Sequence, residues 1–217
     1  MSFCFDFLTR IWLTKSSLTK DIITLIRFPN HLSNFSNRFI TKLVLNFVCN
    51  APAFAHFWLC FRNQVPFYAK EWALTLHERT RIYAILNACA AYAYNLTYEE
   101  FEYILSFDKS NPQGFWRVDQ EKPKPLRIQT FCLLAYKDLL EKGFDKFLEE
   151  DWQLPEYART ELGPRFLDWQ LNMTDDGWAR CQAEDAELHR IYGDTHDDRE
   201  CFGDGDEEMS TGLGKFL

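Results

Sequence analysis

Ala93-Tyr94-Asn95-Leu96-Thr97-Tyr98-Glu99-Glu100-Phe101-Glu102-Tyr103-Ile104-Leu105 is a stretch in which one helix must stop and another must start. Asn95 tolerates the left-handed conformation that ends helices. Two residues later, Thr97-x-x-Glu100 is a capping box, in which hydroxyl and carboxylate satisfy orphan N–H groups of a new helix. That second helix is expected to bury Phe101, Ile104 and Leu105. Working outward, the first helix opens on another such box, Thr75-x-x-Glu78. Its apolar positions are Ile82, Ile85, Leu86, Cys89 and Ala93, a single stripe at helical period. Glu71–Leu105 therefore predicts an αα-corner around which the rest of the chain is organised.

The 217 residues suit one large domain or two small ones, and 47% hydrophobic with 17% aromatic residues is ample for a core. The formal charge of −8 is unevenly spread: residues 1–70 carry a net +6 and residues 71–217 a net −14. Such asymmetry fits an anion-facing end with an acidic tail, or simply two differently exposed faces. The seven cysteines are odd in number and widely spaced, with no CxxC. This favours reduced thiols and a cytoplasmic location over a disulfide framework, with Cys89 and Cys132 as small core residues. No run reaches the ~18 apolar residues of a membrane span. Asp6, ahead of the first arginine, argues against a secretory signal.

The expected fold class is mainly α: a helical, bundle-like core, an irregular aromatic-rich N-terminal segment and a disordered acidic tail. Residues 1–70 form a hydrophobic and basic segment that reads as the interior of something larger or the covered face of an interface. Within it, Ile22, Leu25 and Ile26 suggest a short helix before Pro29, Asn30–Asn37 a loop, and Phe39–Val48 a helix. The run Phe54–Phe61 is open between strand and buried helix. Residues 71–193 form the helical domain. Beyond the corner, Asn111-Pro112 and Gly114 mark a turn, Phe115–Val118 an extended piece, and Lys122–Pro125 a stiff loop. Leu126–Leu140 is a helix with the stripe Ile128, Phe131, Cys132, Ala135 and Leu139, stopped by Gly143. Short helices are expected near Glu156–Leu162 and Arg165–Leu171, and a last one over Asp176–Tyr192. Residues 194–217 are acidic and glycine-rich, the composition of a disordered tail.

Few motifs carry chemistry. Cys181, His189, His196 and Cys201 are zinc-binding types at spacings that match none of the usual ligand pairs. Asp204-x-Asp206-x-Glu208 opens like a calcium loop, but Met209 stands where that loop needs glycine. Asn111-Pro112-Gln113-Gly114 lacks the second proline and the aromatic ring of an amino-group methyltransferase motif, and reads as a turn. Gly203-Asp204-Gly205 has neither the preceding strand nor the following helix of a cofactor loop. No metal or catalytic residue is assigned. Arg117, Lys122, Lys124 and Arg127, beside Trp116, are candidates for phosphate contact; a solvated loop is the competing reading.

The segment Arg79–Gly143 resembles the C-terminal region of large restriction-modification adenine methyltransferases, the Eco57I-like, type IIG class and its relatives in phage defence. That family carries a phrase like Leu-Tyr-Gly-Leu-Thr-x-Glu-Glu-Phe-x-Tyr-Ile-Leu, to which Ala93–Leu105 is similar, with Asn95 in place of the glycine. Phe115-Trp116-Arg117-Val118 with Glu121-Lys122 resembles the family's next element, and Ile128–Leu139 its final helix. The family's S-adenosylmethionine loop and Asn-Pro-Pro-aromatic motif have no counterpart here. The resemblance thus implies a non-catalytic fragment or subunit that holds no cofactor itself and supports DNA target recognition. Its implied partners are DNA and the rest of a methyltransferase, with no membrane. The alternative is a small helical interaction module that docks a partner through its aromatic N-terminal half.

Overall fold

A computed structural model describes residues 2–12, 34–54 and 69–172, together with the isolated positions 183, 186, 187 and 190. The expected helix around Ile22–Ile26, the aromatic run beyond Phe54, the zinc and calcium candidates and the acidic tail all lie outside the described residues. The predicted last helix is described only at those four isolated positions, each of them helical.

The chain is mainly helical, with no strand among the described residues. The helices bounded by described residues are α1 (Phe3–Trp12), α2 (Asn34–Val48), α3 (Leu76–Ala93), α4 (Tyr98–Leu105), α5 (Ile128–Lys142), α6 (Phe144–Glu149), α7 (Glu156–Leu162) and α8 (Asp168–Leu171). Of the loop expected over residues 30–37, the described part, from Asn34 onward, belongs instead to helix α2. Helix α1 was not expected at all; its aromatic face finds cover in the core rather than in a matching pattern of its own.

The αα-corner forms as the sequence predicts. Asn95 takes φ 52°. Leu96 N–H donates to the Ala91 carbonyl at 3.1 Å and Asn95 N–H to Tyr92 at 2.9 Å. This pair of bonds is the Schellman arrangement that satisfies carbonyls left orphaned at a helix end. Helix α4 then starts on a complete capping box. Thr97 Oγ1 accepts from Glu100 N–H at 3.2 Å, and the Glu100 carboxylate accepts from Thr97 N–H at 2.8 Å. Phe101, Ile104 and Leu105 are buried. The Tyr136 hydroxyl of α5 donates to the Leu96 carbonyl, and its ring meets Phe101 edge-on at 5.1 Å.

Helix α3 departs from the single-stripe expectation. Ile82, Ile85, Cys89 and Ala93 are buried, but so are Ala84, Ala88 and Ala91 on the opposite face. At 100° per residue those alanines fall roughly 120–180° from the centre of the stripe. A helix buried on both sides is central rather than peripheral. Helix α5 packs most extensively against it, and α1, α2 and α7 complete its surroundings. Phe3 of α1 lies 4.5 Å from the Phe115 ring and 5.5 Å from Tyr83. Phe3 N–H donates to the Asn87 side chain at 2.7 Å, so α1 is pinned to the middle of α3.

Two further corrections concern local structure. Thr75 does cap α3, accepting from Glu78 N–H at 3.1 Å, but the Glu78 carboxylate does not return to the cap. It binds two arginines instead, because a guanidinium offers a full opposite charge and a bidentate fork where the backbone N–H offers a single donor. Phe115–Val118 is a turn closed by Val118 N–H to the Phe115 carbonyl at 2.9 Å, not an extended piece. Gly143 ends α5 as expected, with φ 82°, which a side chain would strain. The chain re-enters a helix at once, and α6 buries Phe144, Phe147 and Leu148. Helix α7 spans the predicted Glu156–Leu162, while the following helix is only Asp168–Leu171.

Candidate nucleic-acid interface

Residues 106–127 join α4 to α5 without regular structure beyond a short 3-10 turn at Lys124–Leu126. Such a segment holds its shape only if side chains supply the bonds that a ladder would have supplied. Gln129, fully buried on the first turn of α5, donates to the Phe115 and Val118 carbonyls, both at 2.9 Å. Asn111 donates to the Tyr103 carbonyl at 2.8 Å and accepts from Gln113 N–H at 3.2 Å. Thr130 Oγ1 donates to the Lys124 carbonyl at 2.6 Å. Gly114 sits where a Cβ would come 2.7 Å from the Ser106 Cβ and 3.0 Å from the Asn111 amide, so only glycine fits without displacement. The motif-like Asn111–Gly114 is therefore a structural turn, and its asparagine is buried.

The four predicted phosphate candidates all lie on this segment, in two different situations. Arg127 donates Nε–H to the Lys122 carbonyl at 2.8 Å and Nη2–H to the Gln120 carbonyl at 2.9 Å. Lys122 pairs with Asp119 at 3.0 Å, and the second oxygen of Asp119 accepts from Ile128 N–H at 3.2 Å, which caps α5. These two cations are bound into the loop. Arg117 is exposed and lies over the Trp116 ring at 4.3 Å. Lys124 is exposed and lies 5.9 Å from the centre of the Phe107 ring. Lys109, which the sequence reading passed over, is exposed and engages the same Trp116 ring at 5.4 Å. Among the described residues none of these three forms a salt bridge. The acids beside them are partly committed. Asp108 accepts from Ser110 N–H at 2.7 Å, and that bonding to Ser110, with the Lys124 charge nearby, holds its carboxyl below the ordinary range.

A second charged cluster lies at the start of α3. Arg81 forks onto Glu78 with bonds of 2.7 and 2.8 Å, and both side chains are almost wholly buried, at 4% and 2% exposed. Arg81 also donates to Asp151 and to the Trp152 carbonyl, each at 2.9 Å. Arg165 donates to Glu78 at 2.7 Å and closes the ring with a short bond to Asp151. Around it, the Thr75 hydroxyl donates to the Arg165 carbonyl at 2.6 Å, and His77 Nδ1 lies 2.8 Å from the Gly163 carbonyl. Burial alone would raise the Asp151 pKa, but Arg165 and Arg81 outweigh it and the carboxyl ends below its usual value. The Arg165 guanidinium is correspondingly raised by its two acids, against desolvation. Every charge here is met by an opposite one, and the cluster ties α3 to the 151–165 segment.

The remaining candidates carry little chemistry. A shallow groove of about 470 Å³ runs between α5 and residues 150–155. Its central Lys142 is already bridged to Asp138 at 2.8 Å and Glu150 at 2.7 Å. Cys4 and Cys89 are buried and their thiols are pushed up to about 12 by desolvation, and Cys132 is raised as well. They are core residues, as expected for Cys89 and Cys132, and have no thiolate to offer at neutral pH. Among the described residues no group of three or more metal-ligating side chains converges, and no helix is long and apolar enough to cross a membrane. No protein-family model, curated protein or solved structure matches the chain.

Proposed function

We propose that this chain is a non-catalytic C-terminal segment or subunit of a restriction-modification or phage-defence DNA adenine methyltransferase, acting in the cytoplasm. In this reading S-adenosylmethionine is bound by another part of the parent enzyme. The present chain supports the recognition of the DNA target. One observation carries the reading. The phrase Ala93–Leu105, the central one of the family resemblance, is a tightly capped corner, and the segment leaving it is braced on Gln129 and carries Lys109, Arg117 and Lys124 outward. Exposed cations on a stiff loop suit a role that positions a duplex through its phosphates.

The test is methyl transfer to a mixed-sequence duplex with labelled S-adenosylmethionine. The chain alone is expected to give none. Combined with the polypeptide encoded directly upstream, it is expected to give adenine methylation that neither part gives separately. Turnover by this chain alone, or an upstream sequence without a cofactor loop and an Asn-Pro-Pro-aromatic motif, would overturn the proposal.

A second reading, a partner-docking helical module, draws on α2, where Val44 and Val48 are 40% and 55% exposed one turn apart. The aromatic residues that first suggested it are partly spent, since Phe3 and Phe7 are covered within the chain. The two readings separate by salt: DNA binding weakens steeply as salt rises, and an apolar protein contact does not.

A further inference from the structure

We propose that Lys109, Arg117 and Lys124 are the phosphate-contacting set of this chain and that Arg127 is a positioning residue, with Lys122 an internal brace. The proposal rests on the DNA-directed reading above and refines which side chains carry it.

The division follows from where each cation's donors are already spent. Both donors that Arg127 aims at the loop end on main-chain carbonyls, those of Lys122 and Gln120. Lys122 faces Asp119, whose other oxygen caps the first turn of α5. Turning either cation outward would leave carbonyls or a carboxylate unmet and would loosen the start of α5. Lys109, Arg117 and Lys124 have no such commitment. They are held by ring faces rather than by acids. A ring face attracts the positive charge without consuming the N–H donors at the edge of a stacked guanidinium. The three cations are thus steered in direction yet keep their donors for an anion.

Two further features favour a duplex backbone over a splayed single strand. The Trp116 ring is engaged by two cations, Lys109 and Arg117, so the face presents charge rather than an open ring for base stacking. The loop beneath is locked by Gln129, Asn111 and Thr130, so little ordering is left to be lost on binding.

The full chain would be titrated against a labelled duplex by fluorescence anisotropy, from about 50 to about 200 mM salt. Circular dichroism would confirm that each variant is folded. Lys109→Gln, Arg117→Gln and Lys124→Gln are each expected to lower the slope of log affinity against log salt by about 0.9. Lys122→Gln is expected to leave the slope unchanged. Arg127→Lys keeps the charge but cannot fork onto two carbonyls. It is expected to weaken binding several-fold at every salt concentration, with the slope intact. Equal slopes for the wild type and the triple Gln variant would overturn the assignment while leaving duplex binding in place. So would a Lys122→Gln variant that loses as much slope as Lys124→Gln, or an Arg127→Lys variant as tight as wild type. Tighter binding to a single strand than to the duplex would overturn the choice of ligand. No wild-type binding at the lowest salt would overturn the underlying DNA reading as well.

Discussion

Two of the charged clusters among the described residues put their cations to opposite ends. At the start of α3, Glu78, Arg81, Asp151 and Arg165 form a closed ring, with its core pair nearly excluded from water. In the loop before α5, Lys109, Arg117 and Lys124 stand exposed on aromatic rings with no carboxylate partner in salt-bridge range among the described residues. A buried charge that is fully met is costly to disturb, because removing one partner strands the other in a poor solvent. An exposed charge that is unmet costs the fold nothing and remains available to a ligand. Partnering and burial, rather than charge itself, separate the architectural cluster from the proposed binding surface in this chain.

That contrast can be broken most directly at Arg81. Arg81→Ala leaves Glu78 buried with only Arg165 beside it, and a loss of about 3–5 kcal/mol is expected in chemical denaturation. The double variant Glu78→Gln with Arg81→Met removes both charges and should recover much of that loss; failure to recover would mean that the geometry of the ring, not its charge balance, is what matters. A smaller effect is expected at the loop. Gly114→Ala forces a Cβ onto Ser106 and Asn111 and should cost about 1–3 kcal/mol, without moving the helical content measured by circular dichroism. Thr97→Ala removes half of the complete capping box and should cost about 1 kcal/mol. Smallest of all, Arg117→Gln and Lys124→Gln should change stability by less than about 0.5 kcal/mol, since each is exposed and rests on a ring face rather than in a buried network. A large loss there would move these residues from the binding face into the architecture.

Acid should separate the clusters too. The Asp151 carboxyl is depressed in the folded state, so it protonates more readily when unfolded. Its contribution is therefore complete above the unfolded value of about 3.9 and is lost as pH falls through the lower folded one. A thermal unfolding series should be flat through neutrality and decline below about pH 4, and Asp151→Asn should flatten that decline.

How much of this was legible follows the range of the interactions. The αα-corner could be read because its determinants are within six residues of one another: Asn95 at the stop, Thr97 and Glu100 at the start. Gly143 and the stripe of α5 are similarly local. Glu78 was misread in part. Its spacing from Thr75 announces a capping box, but Arg165 lies 87 residues away and nothing in the sequence joins the two. Ala84, Ala88 and Ala91 lie off the stripe read from the sequence, and became a second buried face only because helices pack on both sides of α3. Of the loop cations, residue type alone pointed to Arg117, Lys122, Lys124 and Arg127 and passed over Lys109. Sequence could not say which of them spend their donors internally. The one available hint was Asp119, three residues before Lys122, a spacing that favours pairing only if the backbone turns there.

The sequence by itself determined the helices that have local stops and starts, the mainly α class, and the buried, unreactive character of Cys89 and Cys132. These depend on periodicity, capping and apolarity, which act over a few residues. The tertiary structure alone decided that α3 is central, that α1 joins the core through Phe3 and Asn87, and that Glu78 belongs to an ion ring rather than a cap. It also divided the loop cations into braces and an outward-facing set. Those outcomes depend on which side chains meet across the fold, and a buried charge or an exposed one is defined only by its neighbours in space.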